Sequence, residues 1–274
     1  MITIKEAISK KEITEYIKFP FSLYKNNKYW VPPLIADELE AFDKLKNPIF
    51  KSAEAYYYIA YKNDKIVGRI TAIINWEEVN HQQKKKVRFG WFDVIDDIEV
   101  TKALLEKVYE LGRKNNLEYV EGPMGFSNLD KVGVLTEGFD EIGTMITWYN
   151  HPYYVNHFEQ LGFITEKEFI ESNFPFKNVK PEVFDKAQAL IKKRYGLRAI
   201  NFKTTKEVMP YVESIFKLFN DSYASLDSFV AITDDQIDYF KKKYIGLINP
   251  EYIKDVVDKD DKVVASSIVM PDFA

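Results

Sequence analysis

The sequence predicts a mixed α/β fold, built as one complete domain followed by part of a second copy of it. Three patterns carry the prediction. Residues 55–62 and 65–75 read as two strands joined by Asn63-Asp64, a turn signal for an antiparallel hairpin. Residues 87–95, 99–116 and 119–121 then read as strand, amphipathic helix and strand, a unit that lays two parallel strands in one sheet. Two stretches beyond residue 196 repeat patterns from the first third of the chain.

Taken in order, Ile2-Thr3-Ile4-Lys5 is a short alternating strand. A helix follows over 10–25, with Ile13, Tyr16, Ile17 and Phe21 on one face and Pro20 disturbing its end. Trp30-Val31-Pro32-Pro33-Leu34 is a stiff turn whose prolines suit the opening of a helix at 34–45. After the hairpin, Lys84-Lys85-Lys86 reads as a solvated turn before the strand 87–95, and Arg69 as a packing position with a surface charge. In the helix 99–116, Val100, Ala103, Leu104, Val108 and Leu111 recur at helical spacing. The strand Tyr119-Val120-Glu121 ends at Gly122-Pro123, and 124–147 is glycine-rich with few helix signals. Pro152 to Leu161 reads as a helix stopped by Gly162, and 163–176 as a last strand broken near Ser172.

The repeat starts near residue 197. Arg198-Ala199-Ile200-Asn201-Phe202-Lys203 echoes the opening strand at an offset of 198, and 207–223 reads as the next helix. The hairpin 256–265 parallels 59–68 at an offset of 197. The predicted domains are therefore 1–176, a linker helix over 177–196, and 197–274 as the N-terminal part of a second domain. The second copy breaks off part-way, which predicts a parent chain roughly 100 residues longer.

Composition narrows the function. The 274 residues carry a net charge of −4, which disfavours a nucleic-acid partner because phosphates call for a basic face. There is no cysteine, so disulfides, thiol nucleophiles and cysteine metal sites are excluded. His81, His151 and His157 lack metal-ligand spacing, and no metal is expected. No apolar run reaches the ~20 residues of a membrane helix, and no signal peptide is apparent, so the expected location is cytoplasmic.

Several short motifs together resemble the GNAT (acyl-CoA N-acyltransferase) fold. Asn156-His157-Phe158-Glu159-Gln160-Leu161-Gly162-Phe163 is similar to the late helix-to-strand segment of those proteins, and Asn63-Asp64-Lys65-Ile66-Val67-Gly68 to their second and third strands. With Tyr29-Trp30-Val31-Pro32-Pro33-Leu34, Val67-Gly68-Arg69-Ile70, Phe89-Gly90-Trp91-Phe92 and Glu137-Gly138-Phe139-Asp140, the chain resembles a bacterial group of paired GNAT-like domains. The resemblance implies acyl transfer from a CoA thioester, as co-substrate, to a small-molecule or lipid amine. It also implies backbone N–H donors where a strand splays at a bulge, and a glycine-rich phosphate turn opening a helix.

The sequence departs from this pattern twice. The expected Arg/Gln-x-x-Gly-x-Gly/Ala turn is replaced by Asp96-Asp97-Ile98-Glu99, whose carboxylates repel a pyrophosphate. The usual acid tyrosine aligns with Phe158, which has no proton to give. The first domain is therefore expected to bind CoA weakly or not at all, leaving catalysis to the second copy. Tyr153 and Tyr154 are candidates to replace the acid or line a groove, against ordinary packing. Glu137 is a candidate base, against a solvated loop carboxylate. Trp91, Asn128 and Phe158 are candidate substrate contacts. The competing functions are a non-catalytic GNAT-like binding or scaffold protein and, less compatible with the acidic balance, aminoacyl transfer from tRNA.

Overall fold

The structure, a computed structural model, describes residues 1–127, 129–144, 146–226 and 228–271. The chain divides into two units, Met1–Glu171 and Ser172–Ala274.

In the first unit, β1 (Ile2–Glu6) leads into α1 (Lys10–Leu23). Ser9 and Glu12 form a capping box that satisfies the first N–H groups of α1. After α2 (Ile35–Ala41), β2 (Ala53–Lys62) and β3 (Lys65–Asn75) form the expected hairpin. Its turn residues Asn63 and Asp64 have φ of 51° and 60°, the left-handed pair that a tight primed turn demands. A short helix, α3 (Trp76–Asn80), follows; the sequence patterns did not show it, although Asn75 caps it by accepting from Glu77 N–H.

β4 (Lys86–Val94), α4 (Ile98–Lys114) and β5 (Tyr119–Glu121) complete the strand-helix-strand unit, and α5 (Tyr153–Gln160) comes last. The sheet order is β1-β2-β3-β4-β5, antiparallel except for the parallel β4–β5 pair. α4 covers one face, where Val100, Leu104, Leu105 and Val108 pack with Ala60, Val67, Ile70 and Phe89. Gly68 is required here: a Cβ on it would stand 2.9 Å from Leu104 Cδ1. Tyr16, Ile17, Tyr57 and Ile59 form a second cluster that includes Phe42 and Trp91.

Two expectations are corrected. Residues 163–171 form no strand, and Ile164 and Ile170 are exposed. A strand needs a partner, and the chain leaves β5 after three residues, so no ladder extends beyond it. The helix expected over 207–223 is divided, because Pro210 has no N–H to continue the ladder.

The second unit holds α6 (Glu182–Tyr195), β6 (Arg198–Asn201), α7 (Thr205–Val208), α8 (Val212–Tyr223), α9 (Asp234–Phe240), β7 (Ile253–Val257) and β8 (Val263–Ile268). Its sheet order is β6-β7-β8, antiparallel throughout, matching β1-β2-β3. Both hairpins carry one extra residue at the same place: Val67 lies between the pairs Tyr61↔Ile66 and Ala60↔Gly68, and Val264 between Val257↔Val263 and Val256↔Ala265.

The ladder corrects the register of the opening repeat. Lys5 pairs with Ile59, Ile200 pairs with Asp255, and these pairs are equivalent, so the offset is 195 and not 198. At that offset Ser9 and Glu12 fall on Thr204 and Glu207, and Tyr16, Ile17 and Phe21 on Tyr211, Val212 and Phe216. One cap hydrogen bond recurs: Ile8 N–H donates to Glu12 at 3.1 Å and Lys203 N–H to Glu207 at 2.8 Å.

Candidate functional site

The site of interest in the first unit is where β4 parts from β5. The pair is in register at Lys86↔Tyr119, Val87↔Val120 and Arg88↔Glu121. One further bond, Met124 N–H to Phe89 O at 2.7 Å, holds the strands before they separate. Gly90 and Gly122 permit that approach: a Cβ on either would lie 2.2 Å from Met124 O or 2.4 Å from Phe89 O. β4 then bulges, because Thr71 pairs with Gly90 but Arg69 pairs with Asp93. Trp91 sits in the bulge at φ 44°, an uncommon conformation for a bulky residue. Its indole N–H donates to Glu38 Oε2 at 2.8 Å, and its ring packs against Phe42, Phe126 and Trp148. Burial pushes the Glu38 carboxyl above its ordinary value.

Beyond the bulge, the edge of β4 that faces away from β3 is occupied. Ile95 N–H is spent on Val67 O, which turns the Val94 peptide groups the other way. Val94 N–H donates to Tyr154 Oη at 2.8 Å, and Tyr153 Oη donates to Val94 O at 2.6 Å. The Tyr154 hydroxyl also meets Tyr24 Oη at 3.1 Å, and Tyr24 donates to Asp93 Oδ1 at 2.9 Å. Arg69 Nε donates to Asp93 Oδ2 at 2.7 Å and Arg69 Nη1 to Tyr16 O at 3.1 Å. One bonded path therefore runs from Val94 through Tyr154, Tyr24, Asp93 and Arg69 to the backbone of α1. Desolvation raises both Tyr153 and Tyr154 far above the ordinary phenol range. A cavity of about 10 Å³ remains here, lined by residues that include Phe92, Trp148, Tyr149 and Tyr154. That is about the room one water needs.

The start of α4 is equally committed. Asp97 is its N-cap, accepting from Glu99 N–H at 3.1 Å, and binds Lys62 Nζ at 2.8 Å. Asp96 lies 3.3 Å from His157 Nε2, and His157 Nδ1 contacts Thr101 Oγ1 at 2.9 Å. The bond to Lys62 leads the causes that hold Asp97 below its ordinary value. Carboxylates fill the place where an anion would meet the free N–H groups and the helix dipole.

The sequence-derived candidates are thus distributed as follows. Tyr153, Tyr154 and Trp91 converge on β4. Phe158 is buried among Phe89, Phe92 and Phe163. Glu137 is exposed, in a loop anchored by Asn150, whose Oδ1 accepts from Leu135 N–H at 2.6 Å. Asn128 lies outside the described residues. No group of three or more His, Asp or Glu residues able to hold a metal occurs among the described residues.

Two buried ionic groups escaped the sequence reading. Arg69 carries no surface charge; it is 4% exposed and paired with Asp93. Lys86 is not part of a solvated turn; it is buried against Glu78 at 2.9 Å and Glu121 at 2.5 Å. Arg88 joins it, gripping Glu78 in a bidentate pair at 2.6 Å and 2.6 Å. The alternation of Lys86 and Arg88 with Val87 and Phe89 reads as a strand with one solvent face, yet every residue of β4 is buried, so no local signal marks the pair.

No protein-family pattern matches the chain. The chain is 27% identical over 238 residues to Protein YghO of Escherichia coli (strain K12), covering 85% of this chain and 59% of that one. It is 23% identical over 248 residues to the bacterial ceramide synthase of Caulobacter vibrioides (strain NA1000 / CB15N), covering 88% and 63%. The chain thus spans about three fifths of the length of these curated relatives. Among solved structures, it is similar to a tandem GNAT protein from the clavulanic acid biosynthesis pathway, at 11% identity and a TM-score of 0.49, covering 99% of this chain and 76% of that one. No helix among the described residues is long and apolar enough to cross a membrane. With five strands in the order β1 to β5, a bulge in β4 and a parallel β4–β5 pair that parts after Arg88 and Glu121, the first unit carries the GNAT-like fold.

Proposed function

We propose that the protein is an acyl-CoA-dependent N-acyltransferase acting on a long-chain amine, and that its first unit is a GNAT-like domain that has given up CoA binding. The observation that carries the second part is the double occupation of Val94 by Tyr153 and Tyr154. A thioester arm lying along β4 would have to displace both hydroxyls, and its pyrophosphate would meet Asp96 and Asp97 at the start of α4. The residues present do not fit CoA there, so no step of the reaction is assigned to the first unit.

Support for the substrate class comes from the relative described as a bacterial ceramide synthase. Ceramide is an N-acylated long-chain amino alcohol, so that activity is acyl transfer to such an amine. The test uses the full protein with palmitoyl-CoA and either sphinganine or a short polar amine, reading the amide by mass spectrometry. Amide from sphinganine supports the reading; amide from the short amine alone replaces the substrate class. A photo-reactive CoA analogue should label no peptide within residues 86–160, and labelling there would restore a CoA site to the first unit.

The same occupied cleft favours a second reading, a non-catalytic GNAT-like binding or scaffold protein. Absence of turnover with every acyl-CoA and amine tried would select it.

A further inference from the structure

We infer that Lys131, set in one cluster with Glu38 in the first unit, is a nucleophilic amine that takes aldehydes as covalent ligands. The site stands apart from the acyl-transfer reading and needs no CoA.

Lys131 follows a tight turn that fixes its backbone. Asp130 accepts from Ser127 N–H at 2.9 Å and from Ser127 Oγ at 3.3 Å. Lys131 O accepts from Gly125 N–H at 3.1 Å, and Val132 bridges to both Met124 and Thr147. The side chain leaves this frame half-buried, with part of its surface in solvent. Among the described residues its Nζ makes no hydrogen bond and no ion pair. Lys86 shows the alternative: it is buried more deeply, and Glu78 and Glu121 both answer its charge. An ammonium withdrawn from water without such partners favours its neutral form, and the neutral amine is the nucleophile.

Glu38 belongs to the same cluster and is likewise unjoined. Its Oε2 accepts from the uncharged Trp91 indole at 2.8 Å, and among the described residues no cation forms an ion pair with it. Trp91 itself is held at φ 44° in the β4 bulge, a conformation that persists only where the surroundings over-determine it. Asp93, the other carboxylate acting on Lys131, is already bonded to Arg69 and Tyr24. Arg69 and Asp130 act on Glu38, and Arg88 acts on Asp130. Burial holds Lys131 below its ordinary value and outweighs the opposing pull of Glu38 and Asp93. Burial also raises the Glu38 carboxyl. Amine and acid are thus displaced in the two directions that imine formation needs.

In that step Nζ adds to the aldehyde carbon, and a proton passes from nitrogen to the former carbonyl oxygen. A further proton lets the hydroxyl depart as water while the C=N bond forms, and the nitrogen then releases that proton. Aldehyde and amine give imine and water, with no oxidant or reductant. Glu38 is the carboxyl of the cluster that lends and recovers the proton, directly or through one water.

The experiment treats the full protein with butanal and sodium cyanoborohydride, which reduces an imine to a stable secondary amine. Modified lysines are mapped by mass spectrometry from about pH 6 to about pH 9. At neutral pH Lys131 should react at least about tenfold faster than exposed Lys114. Lys131→Arg should lose that adduct and leave the others unchanged. Glu38→Gln keeps an acceptor for Trp91 and removes a carboxylate that favours the ammonium. The pH profile of modification at Lys131 should therefore shift to lower pH, while that at Lys114 stays in place. Modification of Lys131 no faster than that of Lys114 in the unaltered protein would overturn the site. So would a Lys131 profile that Glu38→Gln leaves unmoved.

Discussion

The two units begin alike and diverge where the sheet acquires charge. Each opens with a strand, a Ser or Thr at the helix start with a Glu three residues later that accepts from the N–H just before the Ser or Thr, and then a Tyr followed by Ile or Val. Each then makes a hairpin with a bulge at the same step. The first unit next buries Arg69 with Asp93 and closes β4 with two tyrosines; in the second, an acid, Asp255, is buried where the first has Ile59. The frame common to both is what caps, turns and apolar spacing dictate. The units differ in how their first helix runs, continuous in α1 and divided at Pro210 in the second unit, and in the side chains that point into the sheet's polar seam.

The most severe way to break the comparison is to make the first unit resemble the second at this seam. Arg69→Ser leaves Asp93 buried without its cation and should cost about 3–5 kcal/mol, read from the urea midpoint. A loss near zero would mean that Tyr24 alone satisfies Asp93. Leu104→Ala, on the α4 face that Gly68 receives, should cost ~2–5 kcal/mol through loss of burial and the cavity left behind. The same measurement separates a packed first unit from a loosely held one.

A smaller effect sharpens the account of the closed cleft. Tyr153→Phe removes the donor to Val94 O and should cost about 1–3 kcal/mol, because the carbonyl is left buried and unpaired. If photo-reactive CoA then labelled β4, the tyrosine would be the barrier to the cofactor. If stability fell and labelling stayed absent, the carboxylates at the start of α4 would be the dominant exclusion.

Much of this was legible in the sequence. The hairpins, the strand-helix-strand unit and the acidic turn at 96–99 follow from period, turn chemistry and charge, which are local properties. The seam was not legible for the opposite reason. Arg69, Lys86 and Arg88 look like surface charges because their partners lie 24, 35 and 10 residues away. Tyr153 and Tyr154 stood out as candidates, but their bonds to Val94 depend on where α5 docks, which no local pattern encodes. The repeat itself was visible, and its opening register was misread by three residues because Ile2 and Ile4 lie over Ile200 and Phe202 as attractively as the true pairing does. Only the cross-strand ladder and the shared cap decide between the two registers.

The gentlest test uses pH and sets one acid from each unit against the other. Asp97 in the first unit is held low, chiefly by Lys62, so its contribution is present above its unfolded value and is lost as pH falls through the folded one. Asp255 in the second unit is pushed up by burial. Its folded form therefore binds a proton that the unfolded chain has released, and stability is full below the unfolded value and declines as pH rises through the folded one. Melting curves taken from about pH 4 upward, just above the ordinary aspartate range, should show this decline, and Asp255→Asn should flatten it while leaving the acid-side loss from Asp97 in place. A decline that persists unchanged in Asp255→Asn would locate the titration elsewhere, with half-buried Glu38, also raised by burial, as the next residue to replace.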